Sequence, residues 1–457
     1  MRKTQVNLLE GSIIKSMILF AIPFLISNIF QQLYNTVDTI IVGHSLGEVS
    51  LAAIGASAPI YDLLVGLALG IGSGMGIVIG RNYGSRDENL LKRTIAATLV
   101  ISVIVALLFT ILSLLLLMPL LKLLNTPAEI LDEAYSYIVI IILFMSVSLA
   151  YNIFSGTLRA IGNSLMPLIF LAISSVINIL LDLLFIRVFH MGVQGAAIAT
   201  VISQAISALL CLLYIYKECK FLIPDRKHFF TFQKDLYEDL VGQGVSMGLM
   251  GSLVSMGSVI MQYAINSMGY LFIAGHIAAK KLFFFTVMPL VALCTSLSTF
   301  VAQNKGANQG FRIRKAVRYS NIISISWAVF VAAAALFIAP YLMKLLTGSE
   351  EATVINYGST YIRIQTAFYV VLGPLFNFRH SLQGLGKKIL PLISSTIEMV
   401  GKIIFTFFII PYTGYMGVIL CEPVIWSFMF LQLLIAFYKE PYIKEHSPKK
   451  KPQSLGA

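Results

Sequence analysis

Charge is what this chain has least of. Only 12% of its 457 residues are Asp, Glu, Lys or Arg, where a soluble globular domain carries about a quarter. Acidic residues number 21, and none lies between Asp239 and Glu350. Cysteine is scarce too. Cys211, Cys219, Cys294 and Cys421 stand far apart, with no pairing that would suggest a disulfide framework or a zinc site, and are read as buried thiols. The six histidines, His44, His190, His228, His276, His380 and His446, are equally dispersed. No nucleophile and base stand in a catalytic spacing, so the chain is not read as an enzyme. The glycine-rich "GIGSGMG" (70–76) lacks the strand-to-helix context and the Lys-Ser/Thr of a phosphate loop, and reads instead as a close helix contact. The first apolar run is too long for a signal peptide and no small-residue cleavage site follows it, so it is expected to be a retained first helix.

What remains is apolar: 58% of the residues are hydrophobic. Twelve long runs recur, at about 13–41, 52–80, 93–121, 134–155, 164–187, 193–216, 238–268, 271–302, 316–343, 352–376, 388–411 and 415–438. Each is of the order of the ~20 residues that span a bilayer as a helix. They are continuous and rich in Leu and Ile, which excludes the alternating short strands of a membrane β-barrel. The expected fold is an all-α polytopic membrane protein with twelve helices.

The formal net charge of +12 invites a nucleic-acid reading, but its distribution argues against one. With the N-terminus inside, 26 of the 33 Lys and Arg fall in inner segments and three, Lys122, Arg187 and Lys344, in outer loops. That is the positive-inside pattern, and it needs an even number of spans with both termini cytoplasmic. The tail "SPKKKPQ" is read as an anchor beside anionic membrane lipid.

The chain also repeats. "GRNYGSRDENLLKR" (80–93) resembles "AQNKGANQGFRIRK" (302–315), "RAIGNSLMP" (159–167) resembles "QGLGKKILP" (383–391), and "GVQGAAIATV" (192–201) resembles "GYMGVILCEPV" (414–424). The offset is nearly constant: Gly84 falls on Gly306, Gly162 on Gly386, Pro167 on Pro391 and Gly195 on Gly417, in the same order and with the same sidedness. This is a parallel repeat, of the kind whose two halves form a site between them or within one and move against each other. The expected division is an N-terminal lobe (1–216), a cytoplasmic linker (217–236), a C-terminal lobe (237–440) around a central cavity, and a basic tail (441–457).

Five carboxylates fall inside the apolar runs: Asp38, Asp62, Asp182, Glu398 and Glu422. An intramembrane charge costs about 2.5 kcal/mol or more, which makes each a functional candidate. In "VINILLDLLFI" (176–186), Asn178 and Asp182 lie one helical turn apart on one face. Asp38, Asn178, Asp182 and the helix 6 hydroxyl of Thr200 are oxygen ligands suited to a hard cation such as Na+. The two carboxylates alone, desolvated together, could instead hold one proton. The bland alternative is that Asp182 merely bonds Asn178 or a neighbouring helix. By the repeat offset Asn178 corresponds to Lys402 and Asp182 to Thr406. Glu398 and Lys402 are spaced as a structural ion pair. Glu422 is expected to pair with Lys280, Lys281 or Arg363, or to take part in substrate binding. Asp62 receives no role. Pro23 interrupts helix 1 and marks it as a moving part or a static kink. Met250 and Met256 belong to a Met-rich helix 7 that suits varied ligands, or simply fills core gaps.

Together these features resemble the MATE (multidrug and toxic compound extrusion) transporters. The resemblance rests on "FAIPFLISNIFQQLYNTVDTIIVG", "GRNYGSRD", "LRAIGNSLMPL", "VINILLDLLFI" and "GVQGAAIATVISQ" in that order. With no carboxylate between Asp239 and Glu350, the chain is similar to the DinF-like branch. That resemblance implies a first-half cation site at Asp38, Asn178, Asp182 and Thr200, joined by a backbone carbonyl near Ala196. It implies a bend at Pro23 and a cavity lined by Tyr137 and Asn152. It further implies a monomer in the plasma membrane of a prokaryote that exports amphipathic, often cationic, compounds against inward Na+ or H+, with no other cofactor. The rival within transport is a flippase of a lipid-linked precursor, for which clustered inward-facing lysines would speak and paired lysines would not. A scaffold or receptor is disfavoured by the lack of sizeable domains outside the membrane.

Overall fold

In a bilayer every backbone N–H and C=O must be satisfied within the chain, and long Leu/Ile-rich runs do this as helices. A computed structural model describes residues 4–124, 126–348 and 350–446, and among them there is no strand. Residues 447–457 of the basic tail lie outside the described residues.

The helices in chain order are α1 (Ile13–Leu46), α2 (Glu48–Gly84), α3 (Glu88–Leu123), α4 (Ala128–Leu143 and Met145–Ala160), α5 (Leu165–Val188) and α6 (Gly192–Glu218). Then follow α7 (Lys234–Asn266), α8 (Tyr270–Gly306), α9 (Gly310–Thr347), α10 (Ala352–Ala367 and Tyr369–Gly384), α11 (Ile389–Thr413) and α12 (Tyr415–Lys439). Ten of these are single helices long and apolar enough to cross a membrane, and the bent α4 makes eleven. The twelfth is α10, broken at Phe368 into two halves that are more polar than their neighbours. Short helices at Arg226–Phe229 and Pro441–Glu445 lie between α6 and α7 and after α12.

The repeat seen in the sequence reappears as backbone geometry. α4 bends by 48° at Phe144, and α10 breaks at Phe368, the equivalent position of the second half. α5 relaxes into a π-helix at Leu183–Val188 and α11 does so at Phe405–Ile409. Backbone positions with positive φ recur in pairs: Gly47 with Gly269, Arg86 with Asn308, Gly162 with Gly386, and Gly192 with Gly414. At Gly47, φ of 88° lets the chain turn from α1 directly into α2, and its N–H still donates to the Gly43 carbonyl at 3.2 Å.

Three apolar cores result. The first is built from α1 to α6, the second mainly from α8 to α12, and a smaller third, with Ile79, Leu91, Leu158, Phe170 and Cys211, from α2 to α6. The halves interlock at the end that bears the termini. Ile13, Met17 and Phe20 of α1 join the second core, and Leu240 of α7 joins the first. The extended residues before α1 run across both halves. Val6 N–H donates to the Gly162 carbonyl at 2.9 Å, and Asn304 and Arg312 donate to the Leu8 carbonyl.

Glycines set where the two halves touch. A Cβ on Gly70 would sit 2.6 Å from Gly248, one on Gly74 would strike the Gln243 carbonyl, one on Gly84 the Gln303 carbonyl and one on Gly306 the Arg81 carbonyl. Arg81 also pairs with Asp239, and Gln303 donates to the Ala160 carbonyl at 2.7 Å. Further out the approach loosens: a Cβ on Gly251 would stand 3.8 Å from the Gly66 carbonyl, and Gly55 has nothing within 4 Å. The halves are therefore packed most tightly at the terminus-bearing end, which they seal.

Candidate functional site

The last turns of α5 carry Asn178 and Asp182 on one face, and both are fully buried. The π-helix begins at the next residue, Leu183. Such a widened turn recurs at functional sites. Gly195 lets the start of α6 close on it, since a Cβ there would lie 3.1 Å from the Phe185 Cβ. That approach brings buried Ala196 and Thr200, one turn apart on α6, towards the same region. From α1, Asp38 places its carboxyl beside the Asp182 carboxyl. The Tyr34 hydroxyl, one turn earlier, reaches the Thr200 hydroxyl at 3.4 Å. Three helices thus converge on one point.

The polar atoms there are not satisfied by protein. Asp38 Oδ1, both carboxylate oxygens of Asp182, and both Oδ1 and Nδ2 of Asn178 are buried without a hydrogen-bond partner. A buried polar group left unpaired costs about 1–3 kcal/mol, and more when charged. Two neighbouring buried carboxylates are tolerable only with a proton or a cation between them. The donor set of carboxylates, an amide oxygen and a hydroxyl fits a hard monovalent cation as well as a proton. Among the described residues no three His, Cys, Asp or Glu side chains converge as a divalent-metal site would require.

Beside this cluster lies a cavity of about 260 Å³. Its walls include Gln31, Gln32, Tyr34, Asn35, Tyr61, Asp62, Asn152 and Gln204, with hydroxyls from Ser148, Ser174, Ser203 and Ser207. Tyr34 belongs to both places: it lines the cavity and bonds Thr200. Two larger hollows, of about 470 and 680 Å³, flank the N-terminal segment, and none of Asp38, Asp62 or Asp182 lines them.

The structure brings Asp38, Asn178, Asp182, Thr200 and Ala196 to one region, and Asn152 to the cavity wall. Tyr137 is buried in the first core rather than among the lining residues. Met250 is buried, its sulfur accepting from Gln383 at 3.5 Å, whereas Met256 is half exposed. α1 runs unbroken through Pro23, whose carbonyl accepts from Ser27 at 2.9 Å. Asp62, given no role from the sequence, is exposed on the cavity wall. Tyr34, Gln31, Gln32 and Asn35 were missed as well; the signal was present in the polar run "QQLYN" inside an apolar helix.

Four charges of the second half, Glu398, Lys402, Glu422 and Lys280, form one network. Lys402 Nζ lies 2.9 Å from Glu398 and 4.0 Å from Glu422, and Lys280 lies 3.6 Å from Glu422. Tyr361 donates to Glu422 at 3.5 Å. Arg363 turns away, donating to the Leu336 carbonyl at 2.8 Å.

Twelve helices in two like-oriented halves, sealed at one end and carrying an unsatisfied carboxylate pair beside a polar cavity, have the build of a membrane transporter. The MatE family model matches the chain twice, over residues 23–184 and 247–408, once in each half and in the register of the repeat. The chain belongs to the MatE family. It is 30% identical over 315 residues to the probable multidrug resistance protein YoeA of Bacillus subtilis, covering 68% of each chain. It is 23% identical over 442 residues to the multidrug export protein MepA of Staphylococcus aureus, covering 95% of each. Among solved structures, the fold matches a crystal structure of MATE in complex with MaL6, with a TM-score of 0.87, 23% identity and coverage of 97% of this chain and 100% of that one. It matches equally an outward-facing conformation of a multidrug resistance MATE family transporter, with a TM-score of 0.87, 22% identity and coverage of 98% and 99%.

Proposed function

We propose that this protein exports amphipathic, cationic compounds from a prokaryotic cell across the plasma membrane, in exchange for inward Na+ or H+ bound at Asp38, Asn178, Asp182 and Thr200. The observation that carries the reading is the set of buried, unpartnered oxygens at Asp38, Asn178 and Asp182, next to a polar cavity. The names of the relatives YoeA and MepA point the same way.

The mechanism follows from charge. With the carboxylates anionic, the cavity wall carries negative potential that favours a cationic substrate. A single Na+ or proton between Asp38 and Asp182 halves that charge and supplies the missing partners for their oxygens. α1 can then repack against α5 and α6, and Pro23 is the position where it can bend, since proline lacks one backbone hydrogen bond. Tyr34, touching both places, passes the rearrangement to the cavity. Substrate leaves outward, and release of the ion on the inner side restores the anionic state. The lysine distribution favours export over lipid-precursor flipping. Lys280 and Lys402 are held by Glu422 and Glu398, so neither ammonium is free for a pyrophosphate.

The test is linkage. Affinity for a fluorescent organic cation is measured by anisotropy in detergent against Na+ concentration and against pH. Na+ or H+ should weaken dye binding, and the dye should weaken ion binding by the same factor. The Asp182→Asn variant should lose both effects. Dye affinity indifferent to both ions would refute the reading.

A further inference from the structure

The register of the repeat sets the charged network of the second half against the ion cluster of the first. The helix starts at Leu165 and Ile389 and the positive-φ turns at Gly162 and Gly386 align α5 with α11, and the turns at Gly192 and Gly414 align α6 with α12. In the register that sets Gly162 on Gly386, Asn178 falls on Lys402 and Asp182 on Thr406. In the register that sets Gly192 on Gly414, Thr200 falls on Glu422.

Lys402 is the most deeply buried charge of that network, with 2% of its side chain exposed. Its Nζ faces Glu398 at 2.9 Å, Glu422 at 4.0 Å and the Ser258 hydroxyl at 3.3 Å. Two carboxylates and a hydroxyl surround it, the same donor types that surround the unsatisfied point in the first half. Room for the stem is made on α7, where a Cβ on Gly257 would stand 2.9 Å from Lys402 Cδ. The first half lacks any such filling: among the described residues no Lys, Arg or His forms an ion pair with Asp38 or Asp182. The Thr406 hydroxyl, at the position equivalent to Asp182, is itself buried without a partner.

We infer that the second half contains a cation site that the chain fills permanently with the Lys402 ammonium. The exchangeable ion is then handled by the first half alone. An ammonium on a four-carbon tether supplies one positive charge between two carboxylates and cannot leave. Glu398 and Glu422 stay neutralised in every state of the cycle, with Lys280 as a second counter-charge for Glu422. The inference rests on the first-half site proposed above for its statement about coupling. The claim about Lys402 can be tested apart from it.

The test removes the first-half site and then the tether. Purified Asp38→Asn/Asp182→Asn protein is assayed for 22Na+ binding, and for an infrared C=O band of carboxyl groups that stay protonated at neutral pH and titrate above it. With Lys402 in place neither signal is expected. Adding Lys402→Met should expose the second site and yield about one bound Na+ per protein, or a new titrating carboxyl band, since a hard cation or a proton must replace the lost ammonium. Adding Glu398→Gln and Glu422→Gln to that variant should remove the gain. Two results would overturn the inference: cation binding or a titrating band while Lys402 is present, or neither signal after Lys402→Met in protein that remains monodisperse. If Lys402→Met does not survive purification, Glu398→Gln/Lys402→Met, which removes one charge of each sign, is measured for gradient-driven transport. Retained coupling supports the inference, and coupling lost in folded protein overturns it. Failure of the first-half site reads out separately, as wild-type-like gradient dependence in Asp38→Asn/Asp182→Asn.

Discussion

The seal at the terminus-bearing end offers a quantitative prediction. Arg81 of α2 reaches across to Asp239 of α7, and Asp239 is also held by Lys388 at 3.2 Å. Replacing Arg81 by Met keeps the stem and removes the charge. Asp239 is not orphaned, because Lys388 remains, so the cost is one charge-assisted bond rather than a bare buried carboxylate. Such bonds contribute about 1.5–3 kcal/mol. The side chains of Arg81 and Asp239 are 20% and 26% exposed, which argues for the lower end. About 1.5 kcal/mol is roughly a tenfold shift in the balance between states sealed and open at this end. Adding Gln303→Leu, which loses the bond to the Ala160 carbonyl, should contribute about a further 0.5–1.5 kcal/mol. The assay is the distance distribution between spin labels on cysteines introduced at Ser85 and Phe311, both exposed near this end on opposite halves. The four native cysteines are buried and should stay unlabelled. A distribution unchanged in both variants would show that these bonds do not hold the seal.

Three further outcomes follow from the same geometry. Gly84→Leu pushes a side chain into the Gln303 carbonyl and should disfavour the sealed state by about 1–3 kcal/mol, with a longer label distance and slower dye efflux. Asp62→Asn removes an exposed cavity-wall charge and should weaken cationic dye binding by up to about fivefold, the worth of an exposed charge pair, without altering the response to Na+ or pH. Glu422→Ala leaves Lys280 without its partner and Lys402 with one carboxylate fewer, and should destabilise the protein by about 3–5 kcal/mol, read as a lower Tm in detergent.

Much of this was legible in the chain because the bilayer demands long apolar helices, and because a repeat with constant offset preserves its turns. The pairing of Glu398 with Lys402 followed from their spacing, and Lys280 was one of three candidate partners for Glu422. Asn178 and Asp182 could be placed on one face from their four-residue separation. The bends at Phe144 and Phe368 and the π-helix of α5 have no adjacent proline or glycine, so tertiary packing decides them, whereas the π-helix of α11 is followed two residues on by Pro411. Asp62 and the amides of α1 were underread for a related reason. Their meaning depends on which face lines the cavity, and that is set by the glycine contacts at the seal. Tyr137 and Met250 illustrate the converse, being polar-tipped or flexible side chains that the packing buries.

The central claim is that Asp38 and Asp182 catch and release the driving ion. Its most direct test is efflux of a fluorescent organic cation from proteoliposomes, driven separately by a Na+ gradient and by a proton gradient, for wild type, Asp38→Asn and Asp182→Asn. One gradient should drive the wild type and neither should drive the variants. Full gradient dependence in both variants would contradict the account and move the search to Glu398 and Glu422.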